Sequence, residues 1–462
     1  MKKLNPLFIL VSVFLISCND ADKDIDIKGQ SVFATITIDE YKSIAYDNPK
    51  EISKEDVINI VRNFSTTRKD ILNEANEMTS IKIVSKEFIS KDKYASNPMF
   101  IDKIPIYTVE VKKNQDTDIA VVSADERFKT ILAYYSLEND VKEDNTLEAQ
   151  ELEENVEMLI EIGKYAVLEE IERIYHLQDS LKDTTYESIS RQMDISRNKL
   201  NFENIKNKLI IKNGTVETKA DMINSGNIPG RIVSNHGPLL FTRWNKGMPY
   251  NRRLQKVCPD NWLYDERYVV SSPVVATAQV FAFFQTPLNT YGYYTDWPYL
   301  TVNPEIHETS DYFGSYVEDP LQRKVAISTV MGYIGEQCQV KYNCSGSTFE
   351  FRNFINFIKN RGLEIDNSQS MNLSVITSSL QNIRPILMYG QTSTGGGHVW
   401  ILDGILGVDN GGIKQYIHAN MGYGKSYSGY YLLPSNISQL TFNTGFAHFM
   451  KNFQMYPNIR HK

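Results

Sequence analysis

The chain has 462 residues, 42% hydrophobic and 23% charged, a globular composition long enough for two or three domains. Its 49 basic and 56 acidic residues leave a net charge of −7 with no basic block, which argues against a nucleic-acid partner. The seven histidines and the cysteines show no metal-ligand spacing, so neither a metal nor another cofactor is expected.

The first segment, MKKLNPLFILVSVFLISCND, has two lysines, an apolar run from Leu7 to Ile16 and a cysteine directly after a small residue. This fits an export signal too short to span a bilayer as a mature helix. LISC resembles a bacterial lipobox, so residues 1–18 read as a lipoprotein signal peptide, with cleavage before Cys18, a lipid on Cys18 and NDADKD as a solvated tether. The expected location is the outer membrane or cell surface of a Gram-negative bacterium, with the membrane reached through that lipid. A cleaved secretory signal with an incidental cysteine, giving an extracellular protein, is the alternative. Of the other cysteines, Cys338 and Cys344 would close a short loop, and the odd count leaves at least one thiol free.

Residues 52–78 place Val57, Ile60, Val61 and Phe64 on one helical face, and SIKIVSKEFI, IPIYTVEV and IAVVSADERFKTILAYY follow as strand-like runs. Residues 30–140 therefore read as a small α+β unit. Residues 143–178 predict a long acidic amphipathic helix with Leu152, Val156, Leu159 and Ile160 on its apolar side and a solvated negative stripe. From 180 to 228 the chain turns polar, so 141–228 reads as this helix followed by an interdomain linker.

Residues 229–462 hold the candidate chemistry. SSPVVATAQVFAFFQ, residues 271–285, reads as a buried helix with Ser271 or Ser272 as N-cap and Pro273 in the first turn. Three glycines, Gly395 to Gly397, precede His398, and HVWILDG alternates like a strand. Asn420 precedes a glycine-rich turn that enters YYLL. A helix N-terminus, a strand histidine and a turn asparagine follow one another in the chain order of papain-like hydrolases.

The segments PLLFTRWNKGMPYN, SSPVVATAQ, GHVWILDG and NMGYGKSYSGYY resemble the streptopain family of bacterial cysteine peptidases, and the resemblance covers residues 236–435. The 104–139 stretch, with VSADER, is similar to that family's inhibitory propeptide. The resemblance implies an α+β class: a papain-like two-layer fold over 229–462, its central helix against an antiparallel sheet, preceded by the propeptide domain over 30–140. It also implies a catalytic set of Ser272, His398 and Asn420, with Trp244, Lys246, Gly397 and Met421 at the oxyanion and substrate cleft.

Three positions depart from the family pattern. Ser272 stands where the family has its cysteine, Lys246 where it has a glutamine that donates to the oxyanion, and Met421 where it has a tryptophan. A serine hydroxyl is essentially never ionised at neutral pH, and papain-like sites work through a preformed thiolate–imidazolium pair. Lysine at 246 is expected as an exposed side chain at the rim. The resemblance thus implies an exported peptidase-family protein with activity lost or weak. Two further readings are a surface-anchored non-catalytic protein that binds a peptide or protein partner, and a slow Ser272-dependent hydrolase.

Overall fold

The computed structural model describes residues 33–72, 78–89, 103–113, 116–138, 146–213, 216–219, 231–309, 317–392, 396–409, 412–437 and 453–462. The signal segment and Cys18 lie outside the described residues. Helices and strands alternate along the chain, and the class is α+β as expected.

One ten-stranded antiparallel sheet organises the molecule. In spatial order its strands are Phe453–Tyr456, Ile386–Gln391, Gly397–Asp409, Ile413–Asn420, Gly429–Leu433, Thr130–Leu137, Thr117–Ser123, Ile104–Lys113 and Met78–Ile89, and Arg231–His236 pairs with the far half of Gly397–Asp409. The three strand runs of the N-terminal unit therefore continue the sheet of the C-terminal unit. The seam pairs Gly429 with Tyr135, Tyr430 with Tyr134 and Tyr431 with Ala133. Glycine is required at the first of these positions, because a Cβ on Gly429 would lie 2.1 Å from the Tyr134 carbonyl oxygen.

Strand alternation divides the sheet into two faces. Val399 and Ile401 join the core of the central helix, Ser272–Phe284, together with Val274, Val275, Ala278 and Phe281. Trp400 and Leu402 point the other way, into a core shared with Leu152, Val156, Leu159 and Ile162. Those four belong to a helix running from Leu147 to Met193. Its 47 residues span about 70 Å at 1.5 Å per residue. Thr146 caps its start, accepting a hydrogen bond from the Ala149 N–H at 3.2 Å, and Asp194 ends it in the left-handed conformation, φ 52°. Apolar residues at three- and four-residue spacing let the helix cross strands from both halves of the chain.

Two sequence expectations change here. The acidic stripe of the long helix is not wholly solvated, since Glu148 is only 4% exposed. Much of the 180–228 stretch forms regular structure: the helix continues to Met193, and Leu209–Asn213 pairs in parallel with Ala34–Thr37 and antiparallel with Val216–Lys219. Tyr41, Ile44, Tyr186, Ile189 and Leu209 pack into a separate small core there. Polar composition concealed this because a three-stranded edge sheet needs few apolar residues.

The cysteine pairing also differs from expectation. Cys258 and Cys344 form the disulfide, with Cα atoms 5.3 Å apart, while Cys338 is free and buried. Cys338 caps the helix Leu321–Gln337 from inside, and its side chain joins the core of the central helix rather than facing Cys344.

Candidate active site

The central helix is built to be buried from its first residue. Ser271 is its N-cap in backbone conformation, φ −65° and ψ 139°, with Pro273 in the first turn as expected. The Ser271 side chain makes no capping bond; its Oγ lies 2.8 Å from Ser347 Oγ instead. Ser272, 4% exposed, is the first helical residue. Its Oγ accepts a hydrogen bond from the Val399 N–H at 3.2 Å, which places the hydroxyl against the backbone next to His398.

His398 lies on the strand Gly397–Asp409 and is fully buried. Its ring stacks on Trp400 with centroids 6.0 Å apart, on the face that the long helix covers. The imidazole Nε2–H donates to the Met421 carbonyl at 2.9 Å, which fixes the tautomer and leaves Nδ1 as the lone-pair nitrogen, with no hydrogen-bond partner. Burial, reinforced by the nearby Lys246 charge, pushes the imidazole pKa well below its usual range. The ring is therefore neutral at physiological pH, and no imidazolium is present to pair with a nucleophile.

Asn420 ends the strand next to the one that carries His398, where it pairs with Ile401. Its Nδ2 donates to the Thr242 carbonyl at 2.8 Å, and its Oδ1 accepts from Gln279 Nε2 at 3.1 Å and from the Gly422 N–H at 3.2 Å. It braces the loop 242–244 and the turn after itself, while the main-chain carbonyl of Met421 orients the imidazole. Gln279 is the residue that sequence reasoning missed here. A glutamine inside an otherwise apolar helix was the available signal, since a buried amide must find partners. It also accepts from the Trp244 N–H at 3.1 Å. Trp244 itself is fully buried in the core of the central helix, and Met421 is likewise fully buried.

Lys246 reverses its expectation most clearly. Its side chain has no exposed surface, and Nζ lies 3.1 Å from Glu148 Oε2 and 5.3 Å from the centre of the Tyr423 ring. The ion pair is close but not aligned as a hydrogen bond, so the ammonium is held by charge and by the aromatic face. Glu148 is in turn fixed by Ser347, whose hydroxyl donates to Oε1 at 2.7 Å. The start of the long helix thus reaches into the site and joins Lys246, Ser347 and Ser271 in one polar cluster.

One turn further along, Glu151 closes the contact. The Gly397 N–H hydrogen-bonds its carboxylate. The carboxylate packs closely on the neighbouring glycine, since a Cβ on Gly396 would fall 1.7 Å from Glu151 Oε1 and would displace that side chain. Desolvation, and then the Glu148 charge, push the Glu151 carboxyl up to about 7 from its ordinary 4.5. Because the folded protein holds a proton there that the unfolded chain has released, stability should fall as pH rises from 4.5 to about 7 and level off above. Allowing for screening at this partly exposed carboxyl, the loss should amount to about 1–2 kcal/mol. Chemical denaturation across that range should show the slope, and Glu151→Gln should remove it.

The first residue of the buried helix thus lies against the antiparallel strand that carries His398. Residues 244–431 match the model of the Peptidase C10 family, the streptopain family, and this part of the chain belongs to it. No curated protein matches the chain. The matched segment is therefore peptidase-like, and it carries the resemblance to a cysteine peptidase.

Proposed function

We propose that this chain is an exported, lipid-anchored member of the peptidase family that does not cleave peptides, its former catalytic cleft occupied by the start of its own long helix. The observation that carries this reading is the buried ion pair between Lys246, at the oxyanion position, and Glu148 of that helix. Three features support it. The Ser272 hydroxyl is hydrogen-bonded by a backbone N–H. The imidazole is neutral, and its Nε2–H is committed to a carbonyl. Glu151 lies over the glycines that lead into His398. Each alone would slow acyl transfer, and together with Lys246 in place of the oxyanion donor they remove the ion pair and the access.

The disulfide Cys258–Cys344 supports an oxidising compartment, in keeping with export and with the lipid at Cys18. Anchored in this way, the protein works at the cell surface through binding a peptide or protein partner, with proteolysis no longer its task. The slow Ser272-dependent hydrolase is the second reading, and the proximity of Ser272 to the His398 strand is the observation in its favour.

Purified protein lacking residues 1–18, incubated at neutral pH alone and with unfolded casein, separates the two. The expected result is an intact chain and intact casein after days, with Ser272→Ala indistinguishable from the parent. Self-cleavage within 180–235 that disappears in Ser272→Ala would establish the hydrolase.

A further inference from the structure

A cavity of about 650 Å³ lies between the helix Ile38–Ala45, the middle of the long helix and one end of the strands Ile413–Asn420 and Gly429–Leu433. Its volume falls in the range of small-molecule sites. Ile38, Phe128, Leu373 and Leu432 form an apolar part of the wall, and neither Ser272 nor His398 lines it.

The charged groups of the wall are largely committed to one another or to the backbone. Glu170 holds Lys42 at 2.7 Å and Arg173 at 2.9 Å, and Arg173 also reaches Asp39 at 2.9 Å. Glu169 accepts the Ser435 and Asn436 N–H groups at 2.8 and 3.1 Å, and Glu126 accepts the Lys50 N–H at 2.9 Å. Arg127 is paired with Asp125 at 2.6 Å, and Lys129, Glu172 and His176 complete the ionisable lining.

Lys414 stands outside these pairs. It is half-buried near the start of the strand Ile413–Asn420, and its Nζ lies 4.4 Å from the centre of the Phe128 ring, with no ion pair or hydrogen bond among the described residues. A second ammonium is close by, since a Cβ on Gly412, two residues earlier, would lie 3.8 Å from Lys42 Nζ. An ammonium at Lys414 gives up water, gains one aromatic face and meets like charge, whereas the neutral amine bears none of these electrostatic costs. Desolvation, and then the Lys42 and Lys129 charges, outweigh Glu170 and Asp409 and push the Lys414 amine down to about 7 from its ordinary 10.5. Desolvation beside other cations is one way in which proteins make a lysine nucleophilic at neutral pH.

We propose that Lys414 is an amine nucleophile and that this cavity takes up a small aldehyde or ketone as an imine on it. The nitrogen lone pair attacks the carbonyl carbon, the carbonyl oxygen leaves as water with the two amine protons, and a C=N bond takes the place of C=O. No oxidant or reductant is consumed. The rest of the carbonyl compound packs on Ile38, Leu373 and Leu432. The Ser272 site takes no part, so this chemistry is independent of whether the chain cleaves peptides.

The test uses the chain lacking residues 1–18, with glycolaldehyde as the probe and cyanoborohydride to trap each imine as a stable secondary amine. Peptide mass spectrometry then reads the extent of alkylation at every lysine. At pH 7, Lys414 should be alkylated about tenfold or more faster than the exposed Lys82 and Lys208, because about half of it is already neutral while an ordinary lysine is almost wholly protonated. The ratio of Lys414 to these two should fall as pH rises from 7 to 9.5, since only the ordinary lysines still gain free amine over that range. Taking this ratio within one sample removes the pH dependence of the trapping step. Ser272→Ala should leave the ratio unchanged, and Lys414→Met should abolish the fast label while the chain stays folded. Should Lys414→Met fail to fold, the ratio in the parent chain decides alone. Alkylation of Lys414 no faster than that of Lys82 and Lys208, or a ratio that does not change with pH, would overturn the site.

Discussion

Replacing Glu148 by alanine is expected to cost the folded protein about 3–5 kcal/mol, because it strands the Lys246 ammonium without a counter-charge in a buried site. The lysine has no exposed surface and the glutamate side chain is 6% exposed, so water cannot take over either role. A pair desolvated to this degree adds little net stability over an uncharged pair, yet breaking it from one side is severe. The double variant Glu148→Gln/Lys246→Met should therefore recover most of the loss, since glutamine keeps an acceptor for the Ser347 hydroxyl and methionine fills the lysine's space. Urea denaturation of the two single variants and the double variant gives the coupling directly. A Glu148→Ala change within about 0.5 kcal/mol of the parent, the size of an ordinary surface substitution, would mean that the start of the long helix is not held in the site.

This pair also marks the limit of what the sequence made legible. The α+β class, the buried helix at 271–285, the strand after the three glycines and the strand runs between 80 and 135 follow from period and turn chemistry, and the structure has them within a few residues. The family-like positions Ser272 and His398 were legible for a different reason: local motifs fix them at a helix start and on a strand. What local pattern could not carry was contact between distant segments. Lys246 and Glu148 are 98 positions apart in the numbering, and neither residue announces a partner, so each was read by its commonest state, exposed and solvated. The continuity of the sheet across Tyr134 and Tyr430 was hidden in the same way, because strands of two units that share an edge look no different from strands that end there. The polar contacts of Asn420 depend on Gln279, one buried amide whose meaning appears only when the helix is set beside the turn.

Ser272→Cys measures how much of the old chemistry the site can still support. A thiol at the first residue of a helix is stabilised as thiolate by the unpaired N–H groups of that end. In the intact chain three conditions oppose it: the position is 4% exposed, His398 is neutral, and the Lys246 charge is spent on Glu148. Alkylation of Ser272→Cys by iodoacetamide at pH 7 should therefore be slower than that of free cysteine. Cys338 will not confuse the readout, since burial pushes its thiol up to about 12. Adding Glu148→Ala both loosens the helix start and frees the lysine charge to favour the thiolate, so the rate should rise about tenfold or more. Peptide hydrolysis should still be missing, because a missing oxyanion donor costs roughly 10²–10³ in kcat, and should emerge only when Lys246→Gln is added. Fast alkylation of Ser272→Cys in the otherwise unchanged chain would show that the site is open and charged as in an active peptidase, and the closed, non-catalytic reading would then fail.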